Sequence, residues 1–374
     1  MKNRERTLAV LHYAPYDRLP VVHFGYWPET LEKWCAEGHL TKAEVAEYRE
    51  GNALPAEQAI ARKLGFDFGW SMQAWVDAKV MPPFEERVLE RRADGLIVYR
   101  NSNGLIEAKV EGTVSIPATV GSTLTDRASW EREFKWRLQA NPARHESAER
   151  LAEFKAACAV AVDYPTGAYS GSLIGAVRDM LGVEGMCYMQ ADDEELFREI
   201  VETIGGLCYE NIKVVLETGA RIDFLHFWED ICFNNGPLIN PRTFEELLAP
   251  RYRQIADLAR AHGVDFISVD CDGLVDKLVP IWLASGVNIM FPIEVGTWNG
   301  SIGPWREQYG RAVRGVGGVR KAVLARDRAA VDAEVERLKP LVALGGYIPC
   351  PDHRLPPESK WELVQYYCER VREL

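Results

Sequence analysis

Asp270, Cys271 and Asp272 stand together in "FISVDCDG" (266–273), where an apolar run that reads as a buried strand stops abruptly. Two carboxylates and a thiol at a strand end could work as general acids or bases, or hold a metal. They could also do no more than cap the next helix, because Asp272-Gly273 before "LVDKL" is a good helix start. The run "GGYIPC" passes directly into Asp352 and His353. A carboxylate beside an imidazole can orient it and raise its basicity. "FLHFWED" ends in Glu229 and Asp230, and neighbouring strand residues point to opposite sides, so one of the two should face a common centre. Glu294 in "FPIEVG", Asp67 in "LGFDFGW" and Arg320 in "GVGGVRK" occupy comparable positions, and His23 and Tyr26 end the first apolar run. His226 lies inside an apolar run and reads as a core histidine. In "SGSLIGAVRDMLG" (170–182), glycines precede a helix whose N-terminus could seat an anion.

These residues need elements that bring them together. Strand-like runs at 19–24, 221–230, 263–273, 286–294, 311–318 and 345–353 alternate, over the second half, with helical patterns at 241–263, 273–286 and 327–345. Gly263, Gly286 and Gly345 close the three helices. Such alternation predicts a parallel sheet, either a closed (β/α)8 barrel or an open doubly wound sheet. No G-x-G-x-x-G follows a first strand, and polar strand ends suit a barrel, whose chemistry gathers at the C-terminal ends of its strands. The expected fold is therefore an α/β, (β/α)8 TIM barrel forming a single domain over 1–374. Asp94-Gly95 and Asn103-Gly104 predict an antiparallel hairpin insertion at 85–115, and 127–157 reads as polar and helical.

Composition narrows the classes. The chain has 374 residues, a formal net charge of −11 and no basic run, which argues against nucleic-acid binding. Eight scattered cysteines without a CxxC pair are not a disulfide framework. There is neither an apolar signal core at the start nor a stretch of about 18 apolar residues, so no membrane association and a reduced, cytoplasmic setting are expected. The Trp-containing "EFKWRL" leaves a homodimer open.

"WEDICFNNGPLINPRTFEELLAPRYRQIADLARAHG", "VDCDGLVDKLVPIWLASGVNIMFPIE" and "GGYIPCPDHRLPPES" together resemble the uroporphyrinogen decarboxylase superfamily. The resemblance implies a (β/α)8 barrel and a choice between porphyrinogen decarboxylases and methyltransferases that work with corrinoid proteins, thiols or folate. The segment that should carry the decarboxylases' arginines reads "VVHFGYWPETLEKW", with none, which argues against a polycarboxylate substrate. Where zinc methyltransferases of the superfamily have His-x-Cys, this chain has Asp270-Cys271-Asp272, and His353 stands at the later cysteine position.

The implied activity is methyl transfer between a small methylated compound, a corrinoid protein and a thiol or folate. Glu229, Asp230, Asp270, Asp272 and His353 would be catalytic, and His23, Tyr26, Asp67, Glu294 and Arg320 would bind substrate. Asp270, Cys271 and His353 would be ligands of zinc, and corrinoid or tetrahydrofolate would carry the methyl group. Two alternatives stand beside it: a decarboxylase or lyase acting on a small acid held by Arg320, and a ligand-binding barrel without catalysis. So many carboxylates at one mouth also need a counter-charge, whether a metal, a cationic substrate or a proton.

Overall fold

The computed structural model describes residues 1–49, 55–70, 72–74, 78–110, 117–140, 152, 155–156 and 163–374. Three short strands come first: β1 (Val22–His23), β2 (Phe68–Gly69) and β3 (Met72–Ala74). A meander follows, β4 (Arg87–Arg91), β5 (Leu96–Arg100), β6 (Leu105–Val110) and β7 (Ala118–Ser122). The rest are β8 (Gly167–Tyr169), β9 (Phe224–Trp228), a minimal hairpin of β10 (Cys232–Phe233) and β11 (Gly236–Pro237), then β12 (Phe266–Asp270), β13 (Ile289–Ile293), β14 (Arg314–Val319) and β15 (Tyr347–Pro351).

Seven of these form one sheet in the order β15-β14-β13-β12-β9-β8-β3, with every described pairing parallel. Helices lie between the later strands, among them Ala249–Ala261, Ile302–Tyr309 and Arg328–Ala343, and Trp361–Arg372 follows β15. Gly263 and Gly286, at φ +77° and +93°, take the left-handed conformation that stops a helix. Strands β12, β13 and β15 are buried along their whole length, as parallel strands covered on both faces must be.

The continuous eight-stranded ring expected from the sequence is not formed among the described residues. β1 and β2 make a separate parallel pair, and the chain just after β1 meets the chain just after β15 at a parallel Tyr26–Leu355 bridge. The physical reason lies at 68–74, where the chain leaves the β2 ladder after two residues and rejoins the main sheet through an irregular register at Met72–Ala74.

Strands β4 to β7 form a four-stranded antiparallel sheet in the order β4-β5-β6-β7, with Gly95 and Gly104 at its first two turns; residues 111–116 of the expected 85–115 insertion lie outside the described residues. Arg127–Leu138 is a succession of short helical turns, and most of the remaining stretch to 157 lies outside the described residues. Among the described residues no helix is long and apolar enough to cross a membrane.

The faces of β9 can be assigned from its contacts. Phe227 packs edge-on against Tyr252 of the helix Ala249–Ala261, with ring centroids 5.1 Å apart, so it points outward. Phe224, His226 and Trp228 therefore point to the interior, where Phe224 stacks on Trp70 at 4.6 Å.

Candidate functional site

Asp230, Asp270 and Asp272 converge where β9 and β12 end, with one carboxylate oxygen from each lying within 4.8 Å of the others. Two loops make this possible. Asp230 sits at φ +45°, a left-handed turn that Asp tolerates better than most residues and that swings its carboxylate back toward β12. Its Oδ1 accepts the Asp272 backbone N–H at 3.1 Å. Arg178 donates to the Asp230 carbonyl oxygen and lies 5.2 Å above the Trp228 ring, clamping the turn. Burial, then the charge of Asp272, pushes the Asp230 carboxyl up to about 6. Burial and the same Asp272 charge also raise Glu294, whose Oε2 accepts the Gly273 N–H at 2.6 Å. His353 completes the rim, with Nε2 3.4 Å from Asp272 Oδ2 and its ring stacked 5.8 Å from Trp27.

Glu229 is engaged elsewhere. It is fully buried, and its two oxygens accept from Ser172 Oγ, from the N–H groups of Leu173, Ile174 and Gly175, and from the Tyr252 hydroxyl. These backbone donors open the helix Gly175–Asp192. The anion seat anticipated at that helix start is thus filled by the protein's own carboxylate. Gly175 has no room for a side chain, since a Cβ would meet the Glu229 carbonyl oxygen and Ser172 Oγ. Gly175→Ala is expected to cost about 1–3 kcal/mol, the usual scale of overpacking, read from urea denaturation.

Five other assignments need correction. Asp67 precedes β2, at the strand's N-terminal end, and is held by Arg18 at 2.6 and 2.9 Å and by the Val21 N–H. It ties the chain together at the end of the sheet away from the carboxylates. Arg320 turns its guanidinium to Glu334 at 3.2 Å, so it does not reach into the mouth for a substrate carboxylate. Tyr26 is buried among Trp34, Tyr48 and His23, and His23 is buried with it. Burial lowers the His23 imidazole to about 3, so it is neutral and walled off from the mouth. Cys271 faces the Ile231 N–H, which donates to its Sγ at 3.3 Å, and burial pushes its thiol well up. Among the described residues the group placed to hold a metal is Asp230, Asp270 and Asp272, so Cys271 and His353 do not join Asp270 in the expected zinc set.

One interior residue reads differently in three dimensions. His226 is 2% exposed, its Nδ1 has no hydrogen-bond partner, and its Nε2 stands 3.8 Å from Asp270 Oδ2. Burial lowers it to about 3, so the ring is neutral. The signal was present in the sequence as alternation: His226 is two residues before Trp228 and so shares its face. In the sequence Asp352 reads only as a neighbour of His353. It is buried and accepts the N–H groups of Val295, Gly296 and Lys321, fixing the loops after β13, β14 and β15 relative to one another.

The comparisons with known proteins agree with this architecture. The family model for uroporphyrinogen decarboxylase (URO-D) matches residues 107–374. No curated protein sequence matches the chain. Among solved structures, a methyltransferase from Methanosarcina mazei is similar over 100% of this chain and 99% of its own, with 15% identity and a TM-score of 0.58. A B12-independent methionine synthase from Shewanella sp. W3-18-1, in complex with selenomethionine, is similar over 95% of this chain and 98% of its own, with 12% identity and a TM-score of 0.50. The chain belongs to the uroporphyrinogen decarboxylase (URO-D) family.

Proposed function

We propose that the chain is an enzyme, a methyltransferase acting on a small molecule, with its reacting centre at Asp230, Asp270 and Asp272. The observation that carries this reading is the convergence of three carboxylates within 4.8 Å, beside His353, at the C-terminal ends of parallel strands. The similarity in fold to the Methanosarcina mazei methyltransferase supports the reaction class. On this reading the Tyr26–Leu355 bridge is the seam of a closed (β/α)8 barrel.

In a methyl transfer the carbon–heteroatom bond of the donor breaks and its electron pair stays on the heteroatom. The acceptor's lone pair forms the new bond to carbon. The departing heteroatom then takes up a proton. Asp230, raised to about 6, keeps that proton available close to neutral pH. Asp272 and His353, both partly exposed, return it from solvent. A corrinoid protein, or tetrahydrofolate, is the methyl carrier in this scheme. Decarboxylation of a small acid is disfavoured, because its carboxylate would meet Asp230, Asp270, Asp272 and Glu294 together.

Asp230, Asp270 and Asp272 would also suit the all-oxygen donor set of Mg2+ or Mn2+; with such an ion held, Asp230 would be an ionised ligand and the ion, in place of its proton, would polarise the leaving atom.

The test uses purified protein, cob(I)alamin as acceptor and either 5-methyltetrahydrofolate or a small methyl thioether as donor, followed by visible absorbance. The expected result is methylation of the corrinoid, the donor heteroatom leaving with its electron pair and taking up a proton, that falls by about 10²–10⁴ in Asp272→Asn, the usual range for losing a group that handles the proton. No spectral change with either donor, together with carbon dioxide release from a panel of small carboxylic acids, would replace this reading with the lyase.

A further inference from the structure

The interior one layer below the carboxylates holds polar atoms that the protein leaves unpaired. His226 and Ser268 are register partners on β9 and β12, so their side chains stand side by side on the interior face. Ser268 is fully buried and His226 nearly so. His226 Nδ1, Ser268 Oγ and the indole Nε1 of Trp70 all lack a hydrogen-bond partner. Trp70 and His226 flank the same two rings: the Trp70 ring lies 4.6 Å from Phe224 and 6.4 Å from Phe291, and the His226 ring lies 6.3 and 5.7 Å from them. An unpaired buried polar group costs about 1–3 kcal/mol. Two that flank one pair of phenylalanines, with a third beside His226 on the next strand, are a prepared set of contacts for something that is not part of the chain.

The direction of entry follows from the register. Trp228 and Asp270 are two residues further along the same strands, about 7 Å toward the strand ends at the usual rise. Trp228 and Tyr169, the β8 partner of His226, are only partly buried, so solvent reaches this face from above. The chemistry of the occupant follows from what it must pass and what it meets. An anion is repelled by the carboxylates. A cation is retained among them. An uncharged group can go deeper, where Trp70 and His226 offer it hydrogen bonds and the rings of Phe224 and Phe291 offer flat apolar walls.

We infer that His226, Ser268 and Trp70 form the floor of the substrate chamber, where they hydrogen-bond an uncharged oxygen-bearing group carried on a flat apolar frame. This rests on the reading of the carboxylate cluster as the reacting centre, and it makes His226 a positioning residue that sets depth and orientation of the substrate below that centre.

Isothermal titration calorimetry with three probes tests it: phenol (neutral), benzylamine (cationic) and benzoate (anionic), each at pH 7.5 with the full chain. Phenol should bind with measurable heat and benzoate should not. His226→Phe should weaken phenol by about tenfold, the worth of one good hydrogen bond. The same variant should melt at a higher temperature than the parent, because it replaces an unpaired polar ring with an apolar one of similar shape. Ser268→Ala should weaken phenol in the same direction.

Phenol binding that is unchanged in both variants would overturn the inference, as would no phenol binding to the parent or benzylamine binding that depends on His226. A lower melting temperature for His226→Phe would also overturn it, since a histidine kept for structure loses its contacts on substitution. Failure of methyl transfer leaves these binding results intact, so the two readings fail separately.

Discussion

Glu229→Ala should be the most damaging single substitution in the site and should act through stability. Five donors end on that carboxylate inside the protein: three backbone N–H groups, a serine and a tyrosine. Removing it strands them all where water does not reach and leaves the N-terminus of the helix Gly175–Asp192 without its counter-charge. The expected loss is about 3–5 kcal/mol, as for other buried ionic networks with one partner deleted. Glu229→Gln should fall between, because the amide keeps one acceptor oxygen but presents an N–H to donors. Urea denaturation followed by circular dichroism measures both. A loss below about 1 kcal/mol for the alanine variant would mean that Glu229 is not the hub of this network.

Asp230→Asn should separate stability from activity. The Asp230 carboxyl is raised from 3.8 to about 6 by burial and by Asp272. For an acid with a raised folded-state pKa, folding favours the protonated form. The penalty is absent below about pH 4, grows between about pH 4 and 6, and is fully present above that. A two-unit rise corresponds to about 3 kcal/mol, and partial relaxation makes about 2 kcal/mol the realistic size. Asn carries no charge and accepts the left-handed backbone at least as readily as Asp. The variant should therefore match the parent near pH 4 and exceed it by about 2 kcal/mol near pH 8, while methyl transfer falls by about 10²–10⁴. Denaturation at the two pH values, alongside the corrinoid assay, checks both halves. An equal stability difference at pH 4 and pH 8 would remove the raised carboxyl from the account.

The site's frame was legible where the information is local. "VDCDG" and "PCPDH" each join a short apolar run to acids, and both lie at ends of parallel strands in the same sheet. Orientation was harder to read. Adjacent Glu229 and Asp230 were expected to diverge, and they do, but which one turns inward depends on a helix start more than 50 residues earlier and on Tyr252. Asp67 looked like a mouth residue because nothing near it in sequence names Arg18 as its partner. Cys271 looked available because its neighbours are polar, whereas its own side chain lies under Ile231. His226 looked like an ordinary core histidine because satisfaction of a buried imidazole is a three-dimensional property. Each of these misreadings turns on a contact between distant segments, which no local pattern encodes.

The Tyr26–Leu355 bridge has a consequence for the order in which the protein can be made. The first strand's neighbourhood is completed by residues more than 300 positions later, through Thr30 Oγ1 to the Leu355 carbonyl at 2.7 Å and Trp34 Nε1 to the Ser359 carbonyl at 3.2 Å. A ribosome adding about 5–20 residues per second delivers those partners many seconds after Trp34 has emerged. Through that interval the apolar face around Tyr26 and Trp34 waits uncovered, so the nascent chain is a natural client for chaperones that shield such surfaces.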